Sequence, residues 1–67
     1  MKRLKVKEVI KILKKDGWYL HNTKGSHRQF KHNIKKGKVT INSKDSDTLD
    51  QFLLNSIFMQ AQIKKIF

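Results

Sequence analysis

The 67 residues predict an α+β domain in the order α-β-β-β-α, with a three-stranded antiparallel sheet carrying two helices on one face. Three observations carry this expectation. Apolar residues recur with a helical period from Val6 to Leu13, apolar and polar residues tend to alternate from Trp18 to Asn42 between short turn signals, and a second apolar-rich run begins at Leu49.

The first helix, over about residues 5–15, places Val6, Val9, Ile10 and Leu13 at i, i+3, i+4 and i+7, so they share one face with lysines on the other. Gly17 stands where a C-terminal cap belongs. Three strand-like runs follow, "WYLHNT", "SHRQFKH" and "KVTIN", separated by "KG" and "NIKKG", and such short links make the sheet antiparallel.

Val39 and Ile41 must share a face, and Phe30 joins them against the helices if it pairs with Val39 and His32 pairs with Gly37, leaving the loop Asn33 to Lys36. In the first hairpin, Trp18 and Leu20 turn inward, Leu20 lies opposite Phe30, and Thr23 lies opposite His27 across a Lys24-Gly25-Ser26 loop. This phase puts Tyr19, His21, Thr23, His27, Gln29, Lys31, Lys38 and Thr40 on one open, basic face.

The closing segment "DTLDQFLLNSIFMQAQIKKIF" reads as the second helix. Leu49, Leu53, Leu54, Ile57, Phe58 and Ala61 cover one broad side, whereas Phe52, Met59, Ile63 and Ile66 gather on nearly the opposite one. One helix of a small domain cannot bury both sides on one sheet. Either it breaks near Ala61 and its tail folds back, or the second stripe meets another chain.

Length and composition narrow the function. A single domain over 1–67 buries only about 60% of the surface of its unfolded chain, which disfavours a large enclosed active site. Without cysteine there is neither a disulfide nor a zinc-thiolate site. The basic N-terminus lacks an uninterrupted apolar stretch, so a soluble cytoplasmic protein with no membrane contact is expected. Charge is the strongest signal: residues 1–38 carry a net +11 and residues 39–67 a net of zero. Such a segment attracts phosphate backbones, the plainer alternative being a solvated surface or one that touches anionic lipid.

The order "EVIKILKKDGWYLHNTKGSHRQFKH", then "KKGKVTI", then a helix containing "LNSIFMQAQI", resembles the HicA-type mRNA interferase toxins over about residues 5–63. Thr23-Lys24-Gly25-Ser26-His27 with Phe30-Lys31-His32 is the specific part. The resemblance implies a fold like a double-stranded RNA-binding domain, in a bacterial toxin that cleaves mRNA and is neutralised by a HicB-type antitoxin, with room for a higher-order toxin–antitoxin assembly. It also implies that His27, the histidine after Gly-Ser, is the catalytic residue.

The chemistry is compatible with that implication. RNA carries its own nucleophile, the 2′-hydroxyl, so cleavage needs a base, an acid for the leaving 5′-oxygen and cations for the phosphate. Imidazole, with a free pKa of about 6.5, suits the proton transfers. No carboxylate–histidine cluster marks a metal site, and neither metal nor cofactor is required. Lys24, Arg28 and Lys31 are candidates for phosphate, with Gly25 and Ser26 adding hydrogen bonds at the turn, Tyr19 for base stacking and His21 as a partner acid. The antitoxin is expected to be acidic where it meets Lys24, Arg28 and Lys31, and Phe52, Met59, Ile63 and Ile66 are the candidate apolar interface.

The chain departs from the family pattern in places. Asn42-Ser43 stands where a Pro-His or similar pair is common, Gln62 replaces the glycine of Gln-Ala-Gly-Ile, and the second helix carries few basic residues. A non-catalytic module for double-stranded RNA is the alternative function, and a protein docking an acidic partner a third. Against the former, "KDSDTLD" occupies the start of the last helix, where such modules place lysines.

Overall fold

The computed structural model describes residues 3–63. The elements run β1 (Leu4–Lys5), α1 (Val6–Lys15), β2 (Tyr19–Lys24), β3 (His27–Lys31), β4 (Val39–Asn42), β5 (Thr48–Leu49) and α2 (Gln51–Gln60). The main sheet has the order β2-β3-β4, antiparallel throughout, and one core cluster joins α1, α2 and a single face of this sheet. The expected α-β-β-β-α architecture is therefore observed.

Helix α1 forms because its apolar period meets the sheet: Val6, Val9 and Leu13 are fully buried against Phe30, Val39 and Ile41. Glu8 lies in its first turn and Lys14 and Lys15 in its last, each complementing the helix dipole. Its first free amides are satisfied by the β4–β5 loop, Val6 N donating to the Asp47 carbonyl at 2.9 Å and Lys7 N to that of Asp45 at 3.3 Å. At its end Trp18 N donates to the Leu13 carbonyl and Gly17 N to that of Lys14, the Schellman pattern, with Gly17 at φ +106°.

Helix α2 starts later than its apolar run suggests. Thr48 and Leu49, read from sequence as helix, instead pair with Lys5 and Leu4 in a two-stranded sheet. Asp50 then caps α2, its carboxylate accepting from Leu53 N at 2.9 Å.

The helix ends at Gln60 in a second Schellman motif: Gln62 N donates to the Met59 carbonyl and Ile63 N to that of Phe58. This motif folds Ile63 back, so that it packs against the core and leaves the stripe of Phe52 and Met59. Its left-handed position is held by Gln62 at φ +56°, the residue that stands where the resemblance leads one to expect glycine. Gln62→Gly is expected to stabilise the fold by about 0.5–1 kcal/mol, because relief of the left-handed cost exceeds loss of the exposed bond from Gln62 Nε2 to the Lys36 carbonyl. A thermal midpoint a few degrees higher checks this.

Register decides which residues share the open face. The pairs Phe30 with Val39 and Leu20 with Phe30 are as expected. The distal half of the first hairpin is not, because a bulge between Leu20 and Asn22 shifts the ladder by one residue. Thr23 consequently faces Arg28, and Lys24 faces His27. The connection is then the two-residue turn Gly25–Ser26, with positive φ (+61°) at Gly25 alone, as a type II′ turn requires.

Candidate nucleic-acid interface

The open face follows from that register. Cross-strand partners share a face, so one row contains Lys24, His27 and Asn42, the next Asn22, Gln29 and Thr40, and the third Tyr19 and Lys31. No position of these three rows is a carboxylate. The bulge thus removes Thr23 from this face and brings Lys24 onto it, beside His27.

His27 is the first residue of β3 and is exposed, with no hydrogen bond to its ring among the described residues. Around it the backbone is braced. Ser26 Oγ donates to Asn42 Oδ1 at 3.1 Å, tying the turn to β4. Arg28, on the opposite face of β3, forms an ion pair with Asp45 and donates to the Ser43 carbonyl at 2.6 Å. Its guanidinium holds the β4–β5 loop next to the Gly25–Ser26 turn, so its charge is spent within the fold and not on the face that presents His27.

The remaining sequence candidates are distributed unevenly. Gly25 and Ser26 form the turn beside His27, and Lys31 and Tyr19 face each other two rows away. His21 is taken out of the ladder by the bulge and is not His27's neighbour. Phe52 and Met59 are 79% and 76% exposed, one stripe of α2. Ile66 lies outside the described residues. His32, expected to pair with Gly37, lies just beyond the end of β3 at Lys31 and is structural: its Nδ1 accepts from the amides of Ile34 and Lys35, each at 3.0 Å, and Nε2 meets the Asp16 carbonyl at 2.8 Å.

Asn42 is the residue that sequence reasoning passed over. The expected pairing of Phe30 with Val39 implies that residue 42 lies opposite His27, and the structure shows that pair. With Oδ1 occupied by Ser26, its Nδ2 is a donor beside His27.

Among the described residues, no group of three or more His, Cys, Asp or Glu side chains is placed to hold a metal ion. No helix among them is long and apolar enough to cross a membrane. The arrangement offers one proton-transfer group, one cation and one amide in a row, on a surface open to a long polymer.

Comparison with known proteins bears on the chain as a whole. None of the curated proteins compared with the chain matches it. The family model described as the HicA toxin of bacterial toxin-antitoxin systems matches residues 6–63, from the first residue of α1 to the close of the second Schellman motif. With nearly its whole length covered, the chain belongs to the HicA toxin family of bacterial toxin-antitoxin systems.

Proposed function

We propose that this toxin is an endoribonuclease that cleaves mRNA in the cytoplasm by metal-independent transesterification, and that a HicB-type antitoxin neutralises it. The observation that carries this reading is the row Lys24–His27–Asn42 on a carboxylate-free face, directly after the Gly25–Ser26 turn. His27 accepts the proton of the 2′-hydroxyl as that oxygen attacks the adjacent phosphorus. The bond from phosphorus to the 5′-oxygen breaks, a 2′,3′-cyclic phosphate remains, and water, free to reach this exposed site, protonates the leaving oxygen. Lys24 and the Asn42 amide bind the phosphate oxygens as charge grows on them, while Lys31 and Tyr19 hold the neighbouring nucleotides.

Incubating the purified protein with a long single-stranded RNA tests this reading. Fragments ending in cyclic phosphate are expected, and they should persist in excess chelator. Intact RNA that is bound but never cut, or cleavage that stops with chelator, counts against it. Asn42→Ala is expected to lower the cleavage rate roughly tenfold, less than an enclosed oxyanion donor would, because water can replace its bond in an open site. Its thermal midpoint should move little, since only the exposed bond to Ser26 is lost. Unchanged cleavage would remove Asn42 from the site.

The antitoxin contact is proposed on Phe52 and Met59, apolar side chains too exposed to contribute to this chain's own core.

A further inference from the structure

A groove lies between α1 and β2 on the face of the sheet opposite His27. Its floor is apolar, formed by Ile10, Leu20 and Phe30. Its wall is a row of three lysines, Lys7, Lys11 and Lys14, at i, i+4 and i+7 on α1. The groove exists because α1 packs over β3 and β4 and stops short of the edge strand: Leu20 faces inward opposite Phe30 yet remains 48% exposed. None of the three lysines forms an ion pair among the described residues, and the carboxylate at the rim, Asp45, is already taken by Arg28.

We infer that this groove docks an acidic segment of a protein partner, whose apolar side chains insert onto Leu20 and Ile10 while its carboxylates meet the lysine row. Three features select that occupant. The free volume, about 290 Å³, is at the lower limit for a ligand pocket and suits one or two side chains of a longer segment. RNA would leave the apolar floor unused, and the one aromatic ring there, Phe30, is only 1% exposed and offers no face for stacking. A second copy of this chain carries the same net charge of +11 and is repelled. The lysine row spans about 10 Å along the helix, the reach of three or four extended residues, so a short acidic run can engage all three. The inference goes beyond the cleavage reading and does not depend on His27, since groove and histidine lie on opposite faces. A partner held here leaves the row Lys24–His27–Asn42 uncovered until another part of it reaches round the sheet.

The probe is a fluorescent synthetic peptide of glutamate and leucine, titrated into the full chain, with NMR amide shifts mapping the contact. Saturable binding is expected, with shifts on α1 and β2 around Leu20. Leu20→Glu should weaken it about tenfold or more, and so should the combined Lys7→Glu, Lys11→Glu and Lys14→Glu variant, whose solvent-side changes leave the core intact. Replacing glutamate by glutamine, or leucine by serine, in the peptide should weaken it likewise, and His27→Ala should not. Absence of saturable binding overturns the inference. So does binding that Lys24→Glu and Lys31→Glu weaken instead, which would mark attraction to the open face. Displacement of the peptide by oligouridylate that itself loses affinity in Leu20→Glu would make the groove an RNA track and overturn it as well.

Discussion

His27→Ala is expected to reduce RNA cleavage by roughly 10²- to 10⁴-fold, the usual worth of a positioned acid–base group, and to abolish growth arrest when the toxin is expressed. The fold should not notice, because the side chain is exposed and its ring makes no hydrogen bond among the described residues. RNA binding should also change little, since Lys24 and Asn42 flank the position from both sides and remain. That combination, lost cleavage with retained binding and an unchanged melting curve, is what separates proton transfer from mere contact. His27→Gln sharpens the test: glutamine keeps a hydrogen-bonding group of similar reach but cannot carry a proton at neutral pH, so it should be as inactive as alanine. If either variant cuts RNA at the rate of the unaltered chain, His27 is not the base. If binding falls in step with cleavage, it acts as a ligand for RNA instead.

The parts of the structure that were legible beforehand are those where apolar residues mark the phase. Val39, Ile41 and Phe30 admit one shared face, and from them the pairing of β3 with β4 follows. Leu20 extends the same logic by one strand. Beyond it the run His21-Asn22-Thr23-Lys24 is wholly polar, so nothing in it reveals that the bulge has exchanged the faces of Thr23 and Lys24. A regular ladder would place Thr23 beside His27, where the bulged one places Lys24. Likewise β1 and β5 are two residues each, too short for any period, and their pairing depends on contacts between distant parts of the chain. The turn after α2 is legible only as one of two readings, a break near Ala61 or a continuous helix with a second apolar stripe, because the residue that marks such a cap is glycine and here Gln62 bears the left-handed backbone. Arg28 shows the limit on charge as a guide. Its position on β3 was readable, but its engagement with Asp45 and Ser43 required a loop conformation that local sequence does not determine.

Gly17→Ala should cost about 3 kcal/mol, a large share of the roughly 3–10 kcal/mol that a domain of this size possesses. Two causes act together. The residue lies at φ +106°, where a side chain is strained, and a Cβ built there falls 2.6 Å from Nε2 of His32. The imidazole cannot withdraw freely. It bonds the Asp16 carbonyl on one side and two loop amides on the other, and it meets the Trp18 ring edge-on at a centroid distance of 5.2 Å. Lys35, held in the same loop, pairs with Asp16 and donates to the carbonyls of Ala61 and Gln62, so displacement of His32 loosens the ends of both helices. A thermal midpoint lowered by about 10–20 °C is the expected reading. His32→Ala alone should cost about 1–2 kcal/mol through its lost bonds. In the double variant the collision is gone while the backbone strain persists, so the two losses should not add. The double variant should be no less stable than Gly17→Ala alone. Full additivity would show that the ring gives way without resistance, and that backbone strain at Gly17 is the whole of the effect.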